Sequence, residues 1–301
     1  MFGLGTIKPI FFCFWIAFVA FANSALADRI TVYAISAPSP TLWDSPHALL
    51  KSTIQNSVKS TYMPNGHVMI LLEQGDQAWL TSMASAKKFQ TFSTTVRRGL
   101  GLSSLYHDFD GTLDSAEDSV RILNNATQDE RVAEIEIKVD PKLMSQMLKF
   151  MDQWIRQGSF RHYRGGQIAS PGLGAGCSDF VMWFMNRALN ARAPLKAWMR
   201  EMYLPKDLLE GTSPVSIYRR YEWAKSAEDG KHFMIPDPEL IYQWVVGMSP
   251  TEKKVTLTAE QILPEQVHYS GAQILDTPFA SPYPAETDEI VQGMWNNITV
   301  R

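Results

Sequence analysis

Two residues, Cys177 and His67, have the types and surroundings that suit covalent chemistry. Cys177 follows the run Gly172-Leu-Gly-Ala-Gly176 and begins a long apolar segment. A thiol in the first turn of a helix lies among backbone N–H groups that have no helical partner, and this favours the thiolate. His67 begins an apolar run directly after the turn Pro64-Asn65-Gly66, so its imidazole can be held rigidly as a base. The pair predicts a cysteine nucleophile that is activated by a histidine.

A domain that mixes strands and helices must position these two residues. Runs of apolar, β-branched or alternating residues predict strands at residues 29–35, 67–73, 77–81, 88–96 and 131–139. Capping residues followed by proline predict a helix from Asp44-Ser45-Pro46, with an apolar stripe of Leu49, Leu50, Ile54 and Val58, and a second helix from Asp140-Pro141 to Gln157. Residues 177–189 are apolar nearly all round, which predicts a buried central helix. The expected fold class is α+β.

The composition is that of a globular protein. The chain has 301 residues, of which 45% are hydrophobic and 20% are charged. These values exclude a disordered, collagen-like or coiled-coil chain. Its 28 Lys and Arg and 31 Asp and Glu give a formal net charge of −3. Because the charges are spread along the sequence without a basic run, we expect no nucleic-acid partner.

The first 27 residues have the pattern of a secretory leader. Lys8 precedes an apolar run at residues 9–22, and Ala25-Leu26-Ala27 fits a cleavage site after Ala27. The run is shorter than the roughly 20 residues that a spanning helix needs, and we expect no transmembrane segment after removal of the leader. The sequence therefore predicts a periplasmic or secreted protein that begins near Asp28, with Cys177 as its one cysteine.

The surroundings of both residues resemble one enzyme family. Cys177-Ser178-Asp179-Phe180-Val181 resembles the Cys-Ser-x-Phe-Val start of the nucleophile helix in NlpC-type papain-like cysteine hydrolases. Gly66-His67-Val68-x-Ile70 resembles their Gly-His-Val-x-Ile histidine strand. In ordinary members the cysteine precedes the histidine, whereas here the order is reversed. This order is similar to that of the circularly permuted subgroup, which includes lecithin:retinol-acyltransferase-like enzymes and bacterial envelope proteins.

The resemblance covers about residues 29–190 and implies a circularly permuted papain-like core. In such a core an antiparallel sheet packs on the buried nucleophile helix. We therefore divide the chain into a leader at 1–27, a catalytic core at 28–190 with an insertion at about 97–130, and a C-terminal extension at 191–301 that packs on the core.

The resemblance also implies roles for the two residues. Cys177 would attack an amide or ester carbonyl, and His67 would act as the general base and then as the acid. A third polar residue normally orients the histidine from the next strand, where Trp79 stands near the expected place and the polar candidates nearby are Gln77, Thr81 and Ser82. The implied enzyme is a thiol hydrolase, an amidase or peptidase, of the cell envelope, with cell-wall peptide as the favoured substrate. A lipid acyltransferase or acyl hydrolase of the same fold and a noncatalytic envelope binding protein are the alternatives.

A second motif points to a different chemistry. Asp108-Phe109-Asp110-Gly111-Thr112-Leu113 resembles the first motif of haloacid dehalogenase-type phosphohydrolases, in which the first aspartate attacks phosphorus and Mg²⁺ neutralises charge. Those enzymes place the motif after a buried apolar strand, but residues 102–107 are short and half polar. We interpret the segment as an acidic loop in the insertion, with an Mg-dependent phosphohydrolase that uses Asp108 and Asp110 as the alternative.

The remaining residues predict no metal or cofactor. His107, His162, His232 and His268 are scattered without the spacing of metal ligands, and the sequence has no His-Glu-x-x-His or Cys-x-x-Cys motif. The glycine run before Cys177 lacks the Lys-Ser or Lys-Thr of a phosphate-binding loop.

Overall fold

The computed structural model describes residues 28–59, 63–87, 107–165, 169–190, 193–208 and 221–257. The predicted leader, the strand predicted at residues 88–96 and the part of the C-terminal extension after residue 257 lie outside this range. The described residues form an α+β fold with ten strands in three sheets and six α-helices, numbered here in chain order.

A five-stranded sheet forms the centre of the molecule. Its spatial order is β10 (Lys254–Leu257), β6 (Val132–Lys138), β1 (Arg29–Ile35), β2 (His67–Gln74) and β3 (Gln77–Thr81). β1 pairs antiparallel with both β2 and β6, and β2 and β3 form a hairpin, whereas β10 runs parallel to β6. The strands predicted at 29–35, 67–73, 77–81 and 131–139 are confirmed within one residue at each end. Alternating or continuous apolar residues mark these strands because at least one face of each is buried.

The helices supply the other layers. They are α1 (Pro46–Lys59), α2 (Ala116–Gln128), α3 (Pro141–Arg156), α4 (Cys177–Ala188), α5 (Leu195–Trp198) and α6 (Pro238–Met248). One face of the central sheet packs on α3, α4 and α6, and α2 covers part of the opposite face. Residues 238–257 thus belong to the central layers, as α6 lies on β1 and β6 and β10 extends the sheet.

The central helix α4 is buried as its apolar sequence predicts. Phe180 and Phe184 are fully enclosed, and their rings contact Trp154 and Phe150 of α3. Because aromatic side chains bury large apolar areas, these contacts stabilise the packing of α4 against α3. The predicted start of α3 at Asp140-Pro141 is also confirmed, with the Asp140 carboxylate accepting from the Leu143 N–H.

The apolar stripe predicted for α1 is wrong at its end. Val58 is 83% exposed, while Ser52 and Asn56 lie on the buried side of the helix. Ser52 Oγ accepts from the Leu42 N–H at 3.0 Å, and Asn56 donates to the Ser39 carbonyl at 2.8 Å. The segment that packs on this side of α1 is therefore irregular. Its backbone N–H and C=O groups need polar side chains as partners, whereas the face of a sheet would need apolar side chains.

Two smaller sheets complete the fold. The first has the order β4 (Met83–Ser85), β5 (Phe109–Leu113) and β7 (His162–Tyr163). β8 (Met199–Pro205) and β9 (Gly230–Pro236) form an antiparallel ribbon. β5 corrects the interpretation of residues 108–113 as an acidic loop, since partners on both sides supply the backbone hydrogen bonds that its polar sequence did not predict.

Candidate active site

His67 is the first residue of β2, and a glycine fixes its position. Gly66 has φ +84°, and a Cβ at this residue would lie 2.8 Å from the Ile35 carbonyl oxygen and 3.1 Å from Pro238 Cβ. Only glycine combines this left-handed backbone with such a close approach. His67 pairs with Ile35 at the end of the β1–β2 register and is buried. The imidazole is therefore held at the end of β2, where the pairing with β1 ends.

Cys177 is the first residue of α4, after a loop that must approach other backbone closely. Gly174 has φ +77°, and a Cβ there would lie 2.1 Å from the His162 carbonyl oxygen. Gly176 is the N-cap residue and offers no side chain to the free N–H groups of the first turn. Those groups favour an anion at the amino end of the helix. Cys177 is 8% exposed, so its thiol lies inside the molecule.

The structure brings Cys177 and His67 together. The thiol and the imidazole are hydrogen-bonded, the Val68 N–H donates to the sulfur, and Ser178 Oγ lies 3.8 Å from Sγ. Burial by itself raises the pKa of the Cys177 thiol, but the charge and hydrogen bond of His67 outweigh it and the net pKa is lowered. Burial likewise lowers the pKa of His67, but the Cys177 charge and Asp114 outweigh it and raise this pKa to about 9. Both directions favour a thiolate beside an imidazolium.

Asp114 is the third member of the group and was not among the sequence candidates. Its Oδ2 lies 3.2 Å from His67 Nε2, and both side chains are buried. A carboxylate at this nitrogen orients the ring and stabilises the imidazolium. Asp114 directly follows β5, so this strand places its carboxylate beside the histidine.

Among the described residues, the three polar candidates near the next strand form no hydrogen bond with the His67 imidazole. Ser82 and Thr81 hold the Asp114 backbone instead: the Asp114 N–H donates to the Ser82 carbonyl at 2.8 Å, and Thr81 Oγ1 donates to the Asp114 carbonyl at 3.0 Å. Gln77 pairs with Gln74 at the exposed end of the hairpin. The resemblance thus led to residues that support the orienting acid rather than to the acid itself.

Tyr163 is a second residue that the sequence did not single out. Its hydroxyl hydrogen-bonds with Cys177, and burial, followed by the Cys177, Asp114 and Asp179 charges, raises the pKa of Tyr163 well above its usual value. Tyr163 lies on β7, which pairs with β5, and a Cβ at Gly111 of β5 would come within 2.4 Å of the Phe160 carbonyl oxygen. No local motif marks Tyr163, because only this strand pairing brings it to the sulfur.

The two aspartates of the phosphohydrolase-like motif lie apart from this group, on the surface. Asp108 Oδ2 is 2.8 Å from His162 Nδ1, and Asp110 Oδ2 is 2.7 Å from Lys87 Nζ. The hydrogen bond and charge of Lys87 lower the pKa of Asp110. Both carboxylates are therefore engaged by exposed basic side chains at the surface. Within the described ranges, no three histidine, cysteine, aspartate or glutamate side chains converge as metal ligands.

The arrangement has the parts that thiol-mediated acyl transfer requires. It contains a buried sulfur with a depressed pKa, a protonated imidazole beside it, an acid that orients the imidazole, and a tyrosine hydroxyl and helix N–H groups close to the sulfur. Donors at such positions can stabilise negative charge on an attacked carbonyl oxygen.

The comparisons of this chain with other proteins add no relative. No family model, curated protein or solved structure matches it. Among the described residues, no helix is long and apolar enough to cross a membrane.

Proposed function

We propose that this protein is an exported cysteine hydrolase that cleaves an amide or ester bond in the cell envelope through Cys177 and His67. The observation that carries the proposal is the buried hydrogen-bonded series Asp114, His67 and Cys177, in which the pKa of the thiol is lowered and that of the imidazole is raised. An inert buried cysteine would not have a lowered pKa, because burial alone raises the pKa of a thiol. The secretory pattern of residues 1–27 supports the periplasmic or secreted location.

The proposed reaction has two stages. The Cys177 thiolate attacks the carbonyl carbon and forms a C–S bond, and the C–N or C–O bond to the leaving group breaks as the His67 imidazolium gives its proton to that group. His67 then takes a proton from water, whose oxygen attacks the thioester. The C–S bond breaks, the acid is released, and the thiolate and imidazolium are restored. Asp114 keeps the ring oriented through both stages.

The permuted papain-like architecture belongs to this proposal. Support comes from the order of the two motifs, from the mainly antiparallel central sheet and from the packing of α4 on β2. A cell-wall peptide is the favoured substrate, because the ordinary NlpC-type hydrolases, which this chain resembles, imply it and because the cell envelope contains it. An acyl lipid is the alternative within the same fold.

The test uses the full chain and compares Cys177→Ala with Cys13→Ala, which changes the other cysteine, in the predicted leader. Wild-type protein should release product from a cell-wall peptide amide or from an acyl ester, and the substrate that is turned over decides between the two classes. Cys177→Ala should abolish turnover and Cys13→Ala should not, because several kcal/mol of barrier lowering depend on the nucleophile. Iodoacetamide should inactivate the wild type, and EDTA should leave it active. Equal turnover by Cys177→Ala and the wild type would refute the proposal, and loss of activity with EDTA alone would favour the phosphohydrolase.

A further inference from the structure

Asp179 is an acidic residue in the first turn of the proposed nucleophile helix, where the motif Cys-Ser-x-Phe-Val leaves the residue type open. It is 8% exposed, so its carboxylate lies inside the molecule beside the site. The proposed reaction assigns it no role.

The carboxylate of Asp179 reaches back to the residue before Cys177. Asp179 Oδ2 lies 3.1 Å from the Cβ position of Gly176, the N-cap residue of α4. Gly176 has no side chain with which to cap the helix. An acid three residues after the N-cap residue is placed to serve the free N–H groups from inside the helix, as in a capping box. Asp179 therefore lies where it can fix the turn that presents the sulfur.

The negative charge of Asp179 also acts on Tyr163. Together with Asp114 it favours the protonated hydroxyl, and this hydroxyl hydrogen-bonds with Cys177. Two buried carboxylates thus border the group formed by Cys177, His67 and Tyr163.

Within the part of the chain that the structure describes, the other charged groups near the start of α4 do not repeat this arrangement. Arg164, just after β7, donates to the Leu173 carbonyl, and its own carbonyl oxygen lies 3.4 Å from the Cβ position of Gly176. β4 carries no titratable residue, and α3 meets α4 through apolar side chains. β9 also packs on α4 and carries the exposed residues Lys231 and His232, of which His232 pairs with Glu201.

We propose that Asp179 is a positioning residue of this site, whose buried carboxylate lies against the N-cap residue Gly176 and holds the first turn of α4, and with it the Cys177 sulfur, in place. The inference rests on the proposed function for its meaning in catalysis, but its effect on the thiol can be measured without a substrate. A negative charge at the first turn of the helix disfavours the thiolate and favours the protonated Tyr163 hydroxyl beside it. Removing the charge should therefore ionise the thiol at lower pH.

The experiment measures the rate of Cys177 alkylation by iodoacetamide against pH in the full chain carrying Cys13→Ala. In Asp179→Asn the midpoint of this profile should move to lower pH by on the order of 0.5–1 unit. The matched control is Asp118→Asn, which removes the acid at the equivalent position of α2, where Asp118 N–H donates to the N-cap residue Ser115. Its midpoint should remain that of the parent.

A second pair of variants separates charge from shape. Asp179→Glu and Asp179→Gln have side chains of equal size and differ in charge, so the midpoint should be lower for glutamine than for glutamate. Gly176→Ala, which crowds the carboxylate without removing it, should reduce the alkylation rate. Equal midpoints in both neutral variants and their charged counterparts would overturn the role of Asp179, whatever happens to the rate. An absence of turnover in the wild type would instead refute the proposed function and leave this titration result standing.

Discussion

Two histidines of this protein are each paired with an aspartate, and they lie in different surroundings. His67 and Asp114 are 3.2 Å apart with side chains 8% and 3% exposed, whereas His162 and Asp108 are 2.8 Å apart with side chains 44% and 43% exposed. The shorter contact is thus the exposed one. Water screens that pair, and exposed ion pairs contribute only about 0–1 kcal/mol. The comparison teaches that burial and a third partner, not a short distance, distinguish the candidate active site.

Both pairs depend on the same two strands. β5 has Asp108 just before it and Asp114 just after it, and its partner β7 carries His162 and Tyr163. One strand pair therefore holds an aspartate of the surface pair at one end and the orienting acid of the buried group at the other.

The largest expected effect separates the two histidines. His67→Ala should lower turnover by about 10²–10⁴-fold, the usual contribution of a positioned acid or base. His162→Ala should stay close to the wild type, because that imidazole lies outside the buried group. Turnover of the preferred substrate measures both variants. A similar loss in the two would mean that burial does not distinguish the pairs.

A smaller effect is expected for the aspartates. Asp114→Asn should reduce turnover on the order of 10²-fold, since an oriented imidazolium supplies part of the acid–base contribution, and Asp108→Asn should change little. Wild-type turnover should fall as pH rises through about 9, where His67 loses its proton. In Asp114→Asn this alkaline limb should move to lower pH, because the charge that helps to raise the pKa of His67 is gone. A pH–rate profile with an unmoved limb would contradict this role of Asp114.

A third prediction disrupts the pairing of β5 with β7, on which both histidine–aspartate pairs depend. Gly111→Ala places a methyl group against the backbone of residues 160–163, with 2.4 Å to the Phe160 carbonyl oxygen, and should cost about 1–3 kcal/mol in the free energy of unfolding. Gly247 is the control, because a Cβ there meets no atom within 4 Å and the residue lies inside α6. Gly247→Ala should stabilise the protein by up to about 1 kcal/mol. Urea unfolding curves measure both, and equal midpoints would mean that the close approach at Gly111 relaxes freely.

The smallest effect is expected from the surface pair itself. Asp108→Ala should change the free energy of unfolding by no more than about 1 kcal/mol. Raising the salt concentration should make the difference in the free energy of unfolding between Asp108→Ala and the wild type smaller still, because salt screens exposed charges. Unfolding measured at low and high salt tests this, and a large loss that salt does not alter would show that the pair is more than a surface contact.

Local patterns were a good guide to four of the five strands of the central sheet and to the positions of three helices, α1, α3 and α4. Continuous or alternating apolar residues fixed β1, β2, β3 and β6, since each pattern reflects burial on faces that the strand itself defines. The same reasoning failed at Val58, where the covering element is irregular backbone, and at residues 109–113, where neighbouring strands complete a polar segment. Whether a segment is buried depends on what lies opposite, and that partner is distant in the chain.

The sequence by itself determined the chemistry that Cys177 and His67 can do, because glycines, a turn and a helix start surround them and these features are local. Tertiary structure decided that the two meet, that Asp114 rather than Gln77, Thr81 or Ser82 reaches His67, and that Tyr163 joins the sulfur. Their proximity comes from the pairing of β5 with β4 and β7 and from the packing of α4 on β2. Residue types limit the reactions that a side chain can perform, whereas distances and burial, which set the pKa values, exist only once remote segments have packed together.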